Sequence, residues 1–158
     1  MSKILGNELT EPLLTRLSGA AIASQEGKII PIFTVDEKGW PNPALLSYYE
    51  IVAKTASILE MAIWKESSTA NNLRRVEKIS LMISDEGINF YIKGLAKEVE
   101  KEMRGAPQVS RFQISVEQLL EDQEPNAHIT SGMTYTRGKE RDATDFSAKV
   151  LRILRGVT

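Results

Sequence analysis

The chain has 158 residues, with 20 Lys and Arg against 21 Asp and Glu, for a net charge of -1. That length suits one domain, 1–158, able to bury about two thirds of its unfolded surface, and the charge balance leaves no electrostatic footprint for nucleic acid. The absence of Cys excludes disulfides, thiolate metal sites and cysteine nucleophiles, and the single histidine, His128, excludes multi-histidine zinc centres. No apolar run is long enough to cross a bilayer, and the N-terminal MSKILGNELTEP lacks the apolar core of a signal peptide, so a cytoplasmic protein with no membrane partner is expected.

The first predicted element is a short helix in TEPLLTRLSG. Thr10 is positioned to cap it, Pro12 is tolerated in its first turn, Gly19 suits the left-handed exit, and Leu13, Leu14 and Leu17 form a buried stripe. From Ala20 the period becomes strand-like. AAIASQ, IIPIFTV, ALLSYYEIV, SILEMAIW, ISLMIS, INFYIKGLA, RFQISV and HITSGMTYT are short and rich in β-branched or aromatic residues, and the turn signals EGK, DEKGWPNP and SDEG fall between them. The clearest hairpin is ISLMISDEGINFYIKG. ALLSYY and SILEMAIW are apolar at nearly every position, which predicts burial on both faces, as in a strand that lines a barrel and also packs on a helix or a second subunit. A short helix follows Trp64, with Leu73 and Val76 inward, and DATDFSAKVLRILRG predicts a C-terminal helix with Phe146, Val150, Ile153 and Leu154 on one stripe. The expected class is mainly β with peripheral helices, most simply closed as an antiparallel barrel.

The turn KESSTANNLRR carries the strongest chemical signal. One hydroxyl at a helix N-cap is expected, but Ser67, Ser68 and Thr69 stand in a row and Asn72 follows. Hydroxyls and exposed amides converging at the positive end of a helix suit an anion, with Lys65, Arg74 and Arg75 close by in sequence; simple capping is the plainer reading. Trp64, directly before the turn, reads equally as a rim aromatic or a stacking partner for a ligand. Ser47 is the polar residue within ALLSYY, where it suits a bond to a neighbouring strand. Trp40 reads as turn packing. Tyr48 and Tyr49 point to opposite faces, one toward the core and one toward a subunit interface. No G-x-S-x-G elbow accompanies a serine, so His128 reads as structural, and neither a P-loop nor a G-x-G-x-x-G is present.

In order and spacing, these segments resemble the pyridoxamine 5'-phosphate oxidase-like FMN-binding split-barrel family from about Gly19 to Val99. Asp36, Gly39 and Pro41 match its first turn element, Ser67 to Thr69 with Asn72-Leu73 its hydroxyl-rich turn and short helix, and Gly94-Leu95-Ala96 its later glycine-bearing strand. The resemblance implies a split antiparallel β-barrel that forms a homodimer with FMN at the subunit interface. It places the phosphate at the hydroxyl turn and the ring along ALLSYY and LEMAIW, with Ser47, Trp64, Lys65, Ser67, Ser68, Thr69 and Asn72 as cofactor-binding residues. It also implies an oxidoreductase acting on a small molecule whose identity it leaves open. The basic pair that clamps the phosphate in the oxidase itself has no counterpart at the turn, and no Arg, Lys and His cluster awaits a second phosphorylated substrate. The alternative is a non-catalytic module that holds flavin, deazaflavin or haem for sensing or storage.

Overall fold

Eight strands form one antiparallel sheet in the computed structural model, which describes residues 1–139 and 141–157 and, within the last helix, side chains from 145 onward. The strands are β1 (Ser2–Gly6), β2 (Ile29–Val35), β3 (Pro41–Ser47), β4 (Ile51–Ala53), β5 (Ile58–Trp64), β6 (Lys78–Asp85), β7 (Ile88–Glu100) and β8 (Val109–Asp122). Three α-helices, α1 (Glu11–Arg16), α2 (Ser68–Arg75) and α3 (Arg141–Arg155), pack around them. The strand order is β3-β2-β6-β7-β8-β5-β4, and β1 pairs with the far half of β8.

That order and one short connection force the sheet to curl. In a flat sheet the six steps from β3 to β4 would separate them by about 29 Å at roughly 4.8 Å per step. Only Tyr48, Tyr49 and Glu50 join them, a link that spans at most about 15 Å between the flanking Cα atoms. The two ends therefore turn toward each other without pairing. The result is a barrel split along one side.

The interior is filled by alternate residues of the strands, with Ile30, Ile32, Leu59, Met61, Leu81, Ile83, Ile92, Phe112 and Ile114 at its centre. Leu13 and Leu17 of the α1 region close it from one side, and Ala70 and Leu73 of α2 from another. A second apolar cluster lies between β5 and α3, where Ala62 and Val109 meet Val150, Leu151 and Leu154. This accounts for the nearly unbroken apolar run in β5. Met61 and Ile63 face the barrel, while Ala62 faces the helix, so both faces are buried. In β3, which pairs only with β2, Leu46 is buried and Leu45 is 55% exposed within the single chain, so no described element of this chain covers its outer face.

Three segments depart from the sequence reading. AAIASQ is a 3-10 turn over Ile22–Gln25 rather than a strand. HITSGMTYT is an irregular segment that bonds at two places: Ile129 accepts from Gly87 N of the β6-β7 turn at 2.9 Å, and at the start of β2 Met133 accepts from Ile29 N at 3.0 Å while Tyr135 N donates to the Gly27 carbonyl at 2.8 Å. Gly132 makes this path possible, since a Cβ there would lie 1.9 Å from the Ser84 carbonyl oxygen. The run ALLSYYEIV is two strands, β3 and β4, broken by the connecting turn. β1 was not expected at all, because SKILG is short and lacks a flanking turn signal. Thr10 makes no side-chain cap bond to α1.

Gly94 has a steric cause. It sits where the β7-β8 register shifts, and a Cβ at this position would lie 2.7 Å from both Ile114 Cγ2 and the Ser115 carbonyl oxygen. The glycine allows the two longest strands to cross closely and bend, which the curl requires.

An ion cluster ties α1 to the β6-β7 hairpin. Asp85 pairs with Arg16 and, at 2.7 Å, with Lys28, and Arg16 also donates to the Tyr48 hydroxyl at 2.9 Å. Burial alone would raise the Asp85 pKa, but the bonds from Lys28 and Arg16 outweigh it and hold the carboxyl far below its ordinary value. Because the folded-state pKa is depressed, this stabilisation is complete above the unfolded value of about 3.9 and is lost as the pH falls below it. Asp85→Asn is expected to lower stability at pH 7 by about 1–2 kcal/mol, since part of the cluster is solvent-screened. Its urea midpoint should then decline less than that of the wild type between pH 5 and pH 2, as measured by denaturant titration.

Candidate functional site

The split between the sheet ends contains a groove. Its first part, a cavity of about 210 Å³, is lined from one sheet end by Ala44, Leu45 and Leu46, and from the other by Ala62, Ile63 and Trp64. Ser67 and Thr69 of the α2 start close one side, and Phe146, Ser147 and Val150 of α3 form the lid. Its second part, about 220 Å³, shares Leu45, Leu46, Glu50 and Ser147 and adds Ser47, Tyr135 and Arg137. Both parts have a mainly apolar lining, and the second adds the polar groups of Ser47, Tyr135 and Arg137.

The hydroxyl turn is built as its sequence suggests, but its members diverge. Ser67 is the N-cap, its Oγ accepting from Ala70 N at 3.1 Å, and it lines the cavity. Thr69 is buried, lines the same cavity, and its hydroxyl has no hydrogen-bond partner among the described residues. The amides of Ser68 and Thr69, in the first turn of α2, have no intrahelical acceptor. Ser68 itself is exposed and outside the lining. Asn72 points the other way, its Nδ2 donating to Thr34 Oγ1 at 3.0 Å on β2, which joins α2 to the barrel wall.

The neighbouring cations are engaged. Lys65 Nζ pairs with Glu102 at 2.6 Å, and Arg74 forks onto Glu98 at 2.7–3.1 Å while also reaching Ser110 Oγ and the Lys65 carbonyl. Arg75 donates to the Val35 carbonyl. Of the seven sequence candidates, Trp64, Ser67 and Thr69 meet at the first cavity and Ser47 joins through the second, whereas Lys65, Ser68 and Asn72 line neither.

Trp64 stays 58% exposed at the groove rim. Its ring stacks on Phe146 of α3, with centroids 5.7 Å apart and an interplanar angle of 16°. Trp40 is 68% exposed at the tip of the β2-β3 hairpin, so it is not turn packing. The turn there is held by Asp36, whose Oδ1 accepts from Lys38 N and Trp40 N, and by Gly39 at φ +85°. Tyr48 is the core tyrosine; Tyr49 faces the C-terminal segment instead. His128 is exposed, lies against Gly87 and lines neither part of the groove.

The second part contains groups that the sequence reading passed over. Glu50 was not singled out, yet its carboxyl sits where the two cavities meet. Its Oε2 accepts from Ser47 N at 2.6 Å and Ser47 Oγ at 3.2 Å. Burial pushes its pKa up, against the bonds from Ser47 and the charge of Arg137. Arg137 pairs with Glu26 at 2.8 Å and lies over the rings of Tyr49 and Tyr135, 4.5 and 5.7 Å from their centroids. The Tyr49 hydroxyl donates to Glu26, and burial together with that bond raises its pKa to about 12. The Tyr135 hydroxyl is buried without a partner among the described residues. Glu50 lies within ALLSYYEIV, read as one continuous strand, and the hidden turn conceals where its side chain goes. Among the described residues, no group of three or more His, Asp or Glu side chains is arranged to hold a metal.

The curled antiparallel sheet, open between its ends, decides the fold. The chain has a split-barrel fold shared with several solved structures. A Lactobacillus delbrueckii structure described as a candidate pyridoxamine 5'-phosphate oxidase matches this split barrel with a TM-score of 0.59 at 16% identity, over 75% of this chain and 98% of that one. An FMN-binding protein from Syntrophomonas wolfei matches with a TM-score of 0.54 at 12% identity, over 72% and 89%. HutZ, a haem storage protein from Vibrio cholerae, matches with a TM-score of 0.51 at 19% identity, over 71% and 93%. In sequence, the Bacillus subtilis protein YclD is 26% identical over 127 residues, covering 80% of this chain and 82% of that protein. No protein-family model matches the chain.

The Trp64-Phe146 stack joins the start of the α3 lid to the rim, beyond the Val150, Leu151 and Leu154 packing on β5. Phe146→Ala is expected to cost about 1–2 kcal/mol, because the ring is half-buried and an aromatic pair adds about 0.5–1.5 kcal/mol to its area term. It should also shift tryptophan emission to longer wavelength as Trp64 becomes wetter. Unchanged emission and stability would mean that the lid does not rest on Trp64.

Proposed function

We propose that the protein is an FMN-binding flavoprotein, with the cofactor in the groove of the split barrel and an oxidoreductase role toward a small molecule. The observation that carries this reading is the groove itself: an apolar slot with a rim tryptophan, bounded by the unsatisfied amides and the free Thr69 hydroxyl at the start of α2. The two adjoining cavities, about 210 and 220 Å³, together fall within the roughly 300–1,000 Å³ of small-molecule sites. The residues present suit the group. Ala44, Leu46 and Ile63 offer apolar walls to a planar ring, Trp64 a stacking face, and Ser67 and Thr69 with the α2 amides a phosphate cradle. A resemblance to an FMN-binding protein of the same fold supports the choice.

When bound, the flavin supplies the hydride and electron chemistry, and the protein supplies binding and orientation. Among the described residues the cations beside the turn are engaged, so on this reading hydroxyls and amides, rather than Lys65 or Arg74, hold the phosphate. Haem storage, as in HutZ, is the second reading; the sole histidine lines neither cavity, which favours flavin over haem.

We infer further that the protein is a homodimer with the cofactor site at the subunit interface. Trp40 and Leu45 are exposed on the β2-β3 side, next to hollows of about 680 and 400 Å³ that run across β2, β6 and β7 and carry Phe33, Val35, Met82, Leu95 and Leu120. An apolar face of that extent is naturally covered by a second copy. Analytical ultracentrifugation at low micromolar concentration should give twice the chain mass of 17.6 kDa. A monomer that still binds FMN tightly would remove the shared site.

Isothermal titration with FMN and riboflavin tests the cofactor. FMN should bind much more tightly than riboflavin, which lacks the phosphate. Thr69→Val, of nearly equal volume, should weaken FMN by roughly ten- to a hundredfold, the worth of one hydrogen bond to a charged group, and leave riboflavin unchanged. Equal affinity of the wild type for both flavins would take the phosphate role away from the α2 start.

A further inference from the structure

We propose that Glu50 contacts the ligand's ring edge in the groove, its Oε1 donating a hydrogen bond to an acceptor atom on the edge of a planar heteroaromatic ligand. This rests on the flavin reading above and assigns a specific side chain to the cofactor's polar edge.

The geometry of the turn selects which oxygen acts. Both intramolecular bonds to the Glu50 carboxyl, from Ser47 N and Ser47 Oγ, fall on Oε2. Oε1 has no partner among the described residues, nor is it among the unpartnered atoms sealed from solvent, so it opens into the groove that Glu50 lines in both halves. An oxygen already accepting two donors cannot also carry the acid proton without losing one of them. The protonated carboxyl therefore carries its hydrogen on Oε1, aimed at the groove, while Oε2 remains an acceptor.

Desolvation favours the protonated form. Burial raises the Glu50 pKa despite the Ser47 bonds and the Arg137 charge, and a planar ligand in the groove would displace water and raise it further. Among the described residues, the charged and titratable groups around it are few. Arg137, from the segment after β8, stays cationic and is matched by Glu26, whose pKa is lowered mainly by the Tyr49 hydroxyl bond. Tyr49 remains protonated, with its pKa near 12. Tyr135 faces the same half, and α3 contributes the Ser147 hydroxyl there. With Arg137 and Glu26 offsetting each other, Glu50 is the group whose protonation changes what the groove offers a ligand. The Ser47-Glu50 bonds also fix its orientation, so little side-chain entropy is lost on contact.

The test compares FMN affinity for the wild type, Glu50→Gln and Glu50→Ala between pH 5 and pH 9, by quenching of flavin fluorescence, with circular dichroism confirming the fold of each variant. The FMN phosphate titrates near pH 6 in all three, so the ratio between variants isolates Glu50. Wild-type affinity relative to Glu50→Gln should fall about three- to tenfold as the pH rises through the Glu50 pKa, because the amide donates at every pH and the carboxyl only when protonated. Glu50→Ala should bind about three- to tenfold more weakly than Glu50→Gln at all pH values. A constant wild-type to Glu50→Gln ratio together with full affinity in Glu50→Ala overturns the contact while leaving the flavin assignment standing. Failure of the wild type to bind FMN at any pH overturns both.

Discussion

Three residues, Tyr48, Tyr49 and Glu50, join strands that stand at opposite ends of the sheet, and most of what is distinctive in this molecule follows from that short link. It bends a seven-strand path into a barrel whose ends approach without pairing. The seam left open is the groove. The link also directs its own side chains: Tyr48 into the core beneath Arg16, Tyr49 onto Glu26 under Arg137, and Glu50 into the seam, locked by Ser47. A longer loop would relieve the curl and release all three.

Around that seam, charge is spent on structure rather than displayed. Lys65, Arg74 and Arg137 each meet a carboxylate, and Arg16 and Lys28 share Asp85. These pairs fasten the parts that the strands leave loose: α2 to β7, the C-terminal segment to the 3-10 turn, and α1 to the β6-β7 hairpin. The groove is left with hydroxyls, amides, one desolvated carboxyl and an aromatic rim. Such a lining suits a flat, partly polar ligand better than a highly charged one. It also explains why an anion at the α2 start would depend on directed hydrogen bonds rather than on net charge.

The solved structures that share the split barrel include an FMN-binding protein and a haem storage protein, so the fold alone does not choose a ligand. The side chains in the seam do that. Here the lid is part of the same chain, since α3 lays Phe146 on Trp64 and Val150 and Leu154 on the outer face of β5. On the flavin reading, the ring would share space with that stack, which makes the position of α3 part of the proposed recognition.

How much of this could be read in the sequence depends on the range of the forces involved. The β6-β7 hairpin, β5, the cap at Ser67 and the α3 stripe are local patterns: alternation, a turn glycine, a hydroxyl before a helix, a helical period. Each was legible because neighbours in the chain decide it. Burial of both faces of β5 was also visible, and α3 supplies its outer cover. The failures were tertiary. ALLSYYEIV reads as one strand because its residues are apolar, but the break at Tyr48 is imposed by strands far away in sequence. HITSGMTYT has strand composition, yet it meets only the β6-β7 turn and the start of β2 and finds no continuous partner. Asn72 looks like a member of the hydroxyl cluster until the helix turn is built, because a residue five positions after the cap faces the barrel wall and Thr34. Sequence by itself determined the β-rich class, the hydroxyl-bearing helix start and the rim tryptophan, since those depend on residue type and local spacing. Only the tertiary structure decided that Ser47, Glu50, Tyr135, Arg137 and Ser147 share one side of a groove, because their meeting depends on the closure of a sheet whose ends are brought together by three residues.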